Sequence, residues 1–254
     1  MTALDPRLLL QGYAIGIFPM ADSRDAEDVF WVEPRERAII PTGGFHLSRS
    51  LARVLRSGRF TVSLDQDFAQ VIAACADRDE TWINPGIERA MLALHRLGHA
   101  HSIEVWDGDG SSSDLVGGVY GVKLGRAFFG ESMFSRRTDT SKVALSWLAA
   151  RLKAGGYSFL DCQFMTGHLA SLGAVAVSRE TYSEMLAAAL GGGADGWTAL
   201  GDGAAGSAAG ASEGCPDSRG GEFWALDRLL EAAGAEGGGG PAGKVIAQLL
   251  GQTS

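Results

Sequence analysis

The stretch Leu115–Lys142, LVGGVYGVKLGRAFFGESMFSRRTDTSK, decides how the rest of the 254-residue chain is read. An apolar, β-rich run turns at Lys123–Gly125 and returns through Ala127–Phe129, the pattern of a β-hairpin. The returning strand delivers Gly130-Glu131-Ser132-Met133-Phe134, a carboxylate set among small and apolar residues. Thr138-Asp139-Thr140-Ser141-Lys142 then supplies N-cap residue types ahead of VALSWLAARLKAG, a helical pattern. A carboxylate between a buried hairpin and a helix start is either a cap in a tight turn or a group placed for chemistry. The pattern alone leaves both readings open.

Downstream, Tyr157–Leu160 reads as a short buried strand that ends at Asp161-Cys162-Gln163-Phe164. Acidic and amide side chains at the C-terminal end of such a strand stand where α/β active sites commonly lie. A short helix over 166–173, a strand over Ala174–Val177 and a helix over Arg179–Leu190 follow. From Gly191 the composition changes to Gly, Ala and Ser, which predicts a disordered, low-complexity appendage, with short helices allowed at Glu222–Ala233 and Lys244–Leu250.

Upstream, Pro6 opens a short amphipathic helix that exits at Phe18-Pro19-Met20, and Ala38–Ile40 reads as a strand stopped by Pro41. The pattern of His46–Gly58 predicts a helix on which Arg49, Arg53 and Arg56 share one face. That face is either solvated or, with Arg35, Arg37 and Arg59 close in sequence, a phosphate-contacting stripe. Further patterns predict a strand at Phe60–Leu64, helices at Asp67–Ala76 and Asn84–Gly98, and a strand at His101–Trp106. The sequence thus predicts an α/β (α+β) chain with a mixed β-sheet. Its parts are a short N-terminal segment (1–35), a core (36–190) and the Gly/Ala-rich tail (191–254).

Composition bounds the function. No apolar run approaches the ~20 residues of a membrane span, and the N-terminus lacks a signal-peptide arrangement. Three scattered cysteines, Cys75, Cys162 and Cys215, predict a reducing, cytoplasmic setting without a disulfide framework. The net charge of −8 argues against nucleic acid as a partner, but residues 1–190 hold 22 acids and 19 bases, so local patches decide. His95, His99 and His101 straddle a helix end, a glycine and a strand start, with no fourth ligand in view, and no metal site is expected there.

The remaining constellations are unequal. Cys162 adjoins Asp161, the wrong neighbour for an activated thiolate that would pair with His168. No GxSxG elbow is present, and the glycines of Gly117-Gly118-Val119-Tyr120-Gly121 lie within strands, where they fit neither GxGxxG nor GxxxxGK[ST]. Glu131, Asp161 and Gln163 remain, reached from neighbouring strands amid Phe128, Phe129, Met133 and Phe164. An apolar pocket with a few convergent polar groups suits an apolar acyl group and an amine acceptor.

GESMFS with a following SK, DCQF with HLASLGA, TWI, LHRLGHAHSIEVW, LVGGVYGV and the early GYAIGIFPM resemble, in order over about residues 10–185, leucyl/phenylalanyl-tRNA–protein transferases. The resemblance implies a GNAT-like acyltransferase core behind a small N-terminal domain, without a metal or bound cofactor. It implies transfer of Leu or Phe, and by pocket type Met, from aminoacyl-tRNA to proteins beginning with Arg or Lys, which marks them for degradation by the N-end rule. A cytoplasmic monomer that acts at no membrane is expected.

Carried over position by position, Gln163 accepts a hydrogen bond from the attacking amine, Asp161 orients it, and Glu131 fixes the aminoacyl end. Phe128, Met133 and Leu160 line the side-chain pocket, with Trp82 near the terminal adenosine. Met20 is a further binding candidate, standing where some members have a tryptophan. Arg49, Arg53 and Arg56 become candidates for the RNA backbone. The chain carries fewer residues before Gly12 than many members, and the Gly-rich tail has no counterpart in the family pattern. Two other readings stay open, an acyl-CoA-dependent N-acetyltransferase of the same fold and a binding module for basic N-termini or charged tRNA.

Overall fold

The computed structural model describes residues 4–108, 113–191, 221–236 and 238–252. A seven-stranded sheet runs in the order β4-β5-β6-β7-β8-β3-β9, where β3 is Glu36–Pro41, β4 Thr61–Leu64, β5 Ala100–Asp107, β6 Asp114–Leu124, β7 Ala127–Ser135, β8 Phe159–Gln163 and β9 Val175–Ser178. Every neighbouring pair is antiparallel except β7–β8, which is parallel and joined by the crossover helix α5 (Thr140–Ala154). A separate two-stranded ribbon pairs β1 (Phe18–Met20) with β2 (Phe30–Val32).

The predicted hairpin is β6–β7, closed at Gly125 with φ +56, a left-handed value that glycine adopts freely. Two of its glycines answer to crowding. A Cβ on Gly117 would strike Thr140 at the start of α5, and one on Gly121 would strike the Phe129 carbonyl and the Phe128 ring. Small residues inside these strands therefore let backbone and helix approach; they cradle no phosphate.

Helices cover both faces. On one face, α5 packs with α2 (Arg49–Ser57), and its residues Val143 to Leu152 are all buried. On the other lie α1 (Pro6–Ala14), α3 (Phe68–Ala76), α4 (Pro85–Arg96) and α7 (Arg179–Ala189), around Tyr13, Val71, Met91, Phe129 and Tyr182. The N-terminal residues thus complete a wall of the same core. N-caps at Ser48, Asp67, Asn84, Thr166 (ahead of α6, Gly167–Ser171) and Ser178 each accept a backbone N–H and fix their helix starts. The expected cap of α5 differs. Asp139 takes φ +71 with no side-chain cap bond, and Thr140 Oγ1 instead bonds the Val116 and Arg137 carbonyls, each at 2.9 Å.

The tail requires a correction. Residues 192–220 lie outside the described residues, but from Gly221 the chain re-enters the core as α8 (Ala225–Ala232) and α9 (Gly240–Gly251). Leu226 and Ile246 are fully buried, and Phe223 stacks parallel to Phe128 at 5.9 Å. The buried Arg151 guanidinium donates to the Phe223 carbonyl at 2.8 Å and grips Asp227 at 2.7 Å. The helices allowed at Glu222–Ala233 and Lys244–Leu250 are present, but as part of the core: Phe223, Leu226 and Leu230 pack in the same cluster as α5. Phe223→Ala is expected to cost about 3 kcal/mol in a urea titration; a loss below about 1 kcal/mol would mean that this segment adds no stability.

Candidate active site

The parallel ladder between β7 and β8 holds only three pairs, Ala127 with Phe159, Phe128 with Leu160 and Phe129 with Asp161. Beyond them β7 continues against β6 alone and β8 against β3 alone, so the two strands part. A cavity of about 330 Å³ fills the opening. Gly130, Glu131, Ser132 and Met133 line it from β7, and Leu160, Cys162 and Gln163 from β8. Met20 and Trp82 contribute further walls.

A β-bulge sits on each side of the parting. Gly121 pairs with Gly130 and Tyr120 with Ser132, which leaves Glu131 as the extra residue of β7. Ala38 pairs with Gln163 and Ile39 with Asp161, which leaves Cys162 as the extra residue of β8. Bulges interrupt the alternation of side chains and re-aim them. Glu131 and Ser132 consequently turn in succession toward one face, where Glu131 Oε1 accepts from Tyr13 Oη at 2.8 Å and Ser132 Oγ accepts from Arg78 at 2.7 Å. Gln163 takes φ +63, a strained value for a non-glycine residue.

That strain is held by Asp161. Its Oδ1 accepts the Gln163 backbone N–H at 2.8 Å, while Arg37 Nε and Nη2 and the Tyr182 hydroxyl bond the carboxylate at 2.6 to 3.0 Å. The Arg37 guanidinium lies over the Phe18 ring at 4.7 Å and the Tyr182 ring at 4.6 Å, and its Nη1 bonds the Gly16 carbonyl. Asp161 is 0% exposed and Arg37 2%. With both oxygens bonded to these donors, the carboxylate anchors the backbone from which Gln163 projects.

The Gln163 side chain is oriented by a different partner. Its Nε2 donates to Glu131 Oε1 at 3.0 Å, which leaves Oε1 of the amide as an acceptor at the cavity wall. Burial raises the Glu131 pKa to about 7, against the lowering effect of the Tyr13 hydroxyl and with a further upward push from Asp161. Between its ordinary value of 4.5 and about 7, the folded protein keeps a proton that the unfolded chain has lost. Stability therefore falls as pH rises through that window. Glu131→Gln removes the titration, so its stability relative to the parent is expected to improve from pH 5 to pH 8 by up to about 3 kcal/mol. Equal stability differences at the two pH values, read from urea titrations, would refute the assignment.

Of the residues singled out from sequence, the cavity gathers Met20, Trp82, Glu131, Met133, Leu160 and Gln163, with Asp161 directly behind. Phe128 lies apart from this group. It is 1% exposed, packs on Phe223 and is absent from the cavity wall. Arg37 leaves the expected basic stripe, because its side chain is buried against Asp161. Arg49, Arg53 and Arg56 are exposed on α2 and enter no ion pair among the described residues. His101 bonds Asp65 at 2.6 Å and the Gly98 carbonyl, and His95 bonds the Ala100 carbonyl. Burial and the Asp161 charge push the Cys162 thiol well up, so it lines the cavity as a neutral group.

Tyr13, Arg37, Tyr182 and Arg78 went unrecognised as parts of the site. Arg37 lies on a strand buried on both faces, Arg37 to Ile40 all being covered, and nothing local in the sequence marks its partner.

An apolar cleft beside a non-titrating side-chain acceptor, with no activated nucleophile among the described residues, is the arrangement of an α/β group-transfer enzyme. The family model described as leucyl/phenylalanyl-tRNA protein transferase matches residues 39–187, and that of its N-terminal domain matches residues 2–35. A leucyl/phenylalanyl-tRNA–protein transferase of Rhizorhabdus wittichii is 55% identical over 263 residues, covering 100% of both chains. One from Cereibacter sphaeroides is 61% identical over 76% of this chain and 88% of its own, and one from Zymomonas mobilis is 58% identical over 74% and 70%. The chain belongs to the leucyl/phenylalanyl-tRNA–protein transferase family.

Proposed function

We propose that this protein moves Leu or Phe from aminoacyl-tRNA to the α-amine of proteins that begin with Arg or Lys, and that Met is accepted too. The observation that carries the reading is the cavity between β7 and β8. It is apolar over most of its wall and meets Gln163 Oε1 and the Glu131 carboxylate at one end. Cavities of this size suit a single side chain with its ester group. Met20 and Met133 in the wall adapt to different shapes. One methylene changes binding in such a pocket by about 1–3 kcal/mol, so discrimination among Leu, Phe and Met is modest.

An aminoacyl ester is already activated, so the site has to hold its carbonyl carbon beside a neutral amine. An α-amine has a pKa of about 7.7–8.0, which keeps a neutral fraction available near neutrality. The amine nitrogen bonds to the ester carbon as the bond to the ribose oxygen breaks. One amine proton ends on the released ribose hydroxyl. Gln163 Oε1 accepts a hydrogen bond from the attacking amine and aims its lone pair. Glu131 fixes the Gln163 amide and the aminoacyl end, while Asp161 acts through the Gln163 backbone.

The parting of two parallel strands around the cavity supports a GNAT-like core. The exposed α2 arginines support an RNA-backbone contact there. On this reading the enzyme is a cytoplasmic monomer; separately, no helix among the described residues is long and apolar enough to cross a membrane.

Mixing the purified chain with leucyl-tRNA and a peptide starting with Arg, then weighing the peptide, tests the proposal. A gain of one leucyl residue is expected, absent with an N-acetylated peptide or uncharged tRNA. No gain, or an acetyl adduct from acetyl-CoA in its place, would overturn it.

A further inference from the structure

Arg78 follows α3, at the mouth of the cavity, and no step above uses it. The cavity wall is otherwise apolar or neutral apart from Glu131, yet Arg78 brings a permanent positive charge to it. The guanidinium is held in place. Nε donates to the Cys75 carbonyl at 2.7 Å, and Nη2 donates to Ser132 Oγ at 2.7 Å and the Met133 carbonyl at 3.3 Å. Its carbon lies 5.3 Å from the centre of the Trp82 ring, another wall residue.

These partners are neutral, so the charge is positioned but uncompensated. Asp77, Asp79 and Glu80 flank Arg78 in sequence, yet none of the ion pairs among the described residues includes it. Nη1 makes no hydrogen bond among the described residues. A fixed, exposed guanidinium with a free amino edge beside an indole suits an anion attached to an aromatic base. It suits a protonated amine badly, so an acceptor with a basic first side chain has to enter away from Arg78.

We propose that Arg78 is a phosphate anchor for the nucleotide end of the donor, binding the phosphodiester on the 5′ side of the terminal adenosine while that adenosine lies against Trp82. The inference rests on the aminoacyl-tRNA reading and assigns a further binding residue within the same site. It also gives the cavity a direction, with the nucleotide at the Arg78–Trp82 mouth and the acceptor amine at Gln163.

The test uses two minimal donors with the full chain and an Arg-starting peptide: the 3′-leucyl ester of adenosine, and the same ester carrying a 5′-phosphate. In the parent protein, kcat/KM for the phosphorylated donor is expected to exceed that for the nucleoside by about 10- to 100-fold, the range of a charge-assisted contact. Arg78→Ala is expected to bring that ratio close to one, and Arg78→Lys to give an intermediate ratio that falls with added salt. Arg78 also supports Ser132 and Met133, so a structural role would lower both donors together and keep the ratio; that outcome overturns the proposal. A parent ratio near one overturns it as well. No turnover of leucyl-tRNA itself would instead remove the underlying functional reading.

Discussion

Gln163→Ala is expected to lower kcat by about 100- to 1,000-fold while binding of leucyl-tRNA stays within a few-fold of the parent, the range for loss of one hydrogen-bonding group aimed at a transition state. Gln163 sits on the wall of the cavity, and its Nε2 is committed to Glu131. The substitution therefore deletes one free acceptor and leaves Asp161 held by Arg37 and Tyr182. Gln163→Glu sharpens the result. It places a second carboxylate about 3.0 Å from Glu131, so the two share a proton near neutrality and the pH–rate profile moves. A Gln163→Ala enzyme with kcat within about threefold of the parent would remove Gln163 from the chemistry.

Removing Arg37 is expected to be the most destabilising single change at the site. Arg37→Met leaves the Asp161 carboxylate buried with only the Tyr182 hydroxyl and the Gln163 N–H as donors, and stranding a buried charge costs about 3–5 kcal/mol. Activity falls with it, because an Asp161 released from Arg37 anchors Gln163 at φ +63 less firmly. The double variant Arg37→Met, Asp161→Leu discards both charges. It should recover much of the stability and none of the activity. Urea titrations of the three proteins separate these effects. A loss below about 1 kcal/mol in Arg37→Met would mean that the pair contributes little to folding.

Much of this architecture was legible before any coordinates. The β6–β7 hairpin, α5 and the strand ending at Asp161 follow from periodicity and turn residues, since each is a local pattern of apolar spacing. Glu131, Asp161 and Gln163 stood out by position, after a buried hairpin and at the C-terminal end of a buried strand. The partners themselves were not legible. Tyr13 reaches Glu131 across 118 positions and Arg37 reaches Asp161 across 124. Contacts at such separations leave no local trace.

Strict alternation carries Phe128 and Met133 to opposite faces of β7, and the extra residue at Glu131 returns them to one face. Met133 then lies beyond the parting of the strands and reaches the cavity wall, while Phe128 is still paired with Leu160 and covered by Phe223. Arg37 looked like part of a basic surface only while its strand partner was unknown. The C-terminal helices were legible from their apolar spacing, whereas their packing into the core was not.

Direct passage of the aminoacyl group from ester to amine, with no acyl group on the protein, is tested most sharply by a single-turnover experiment. Excess protein is mixed with radiolabelled leucyl-tRNA, with and without an Arg-starting peptide, quenched at intervals and resolved under denaturing conditions. Label is expected to pass from tRNA to peptide at the rate it leaves the tRNA, and none should travel with the protein chain even when peptide is withheld. A labelled protein that forms without peptide and empties when peptide is added, for example through a thioester at Cys162, would contradict direct transfer.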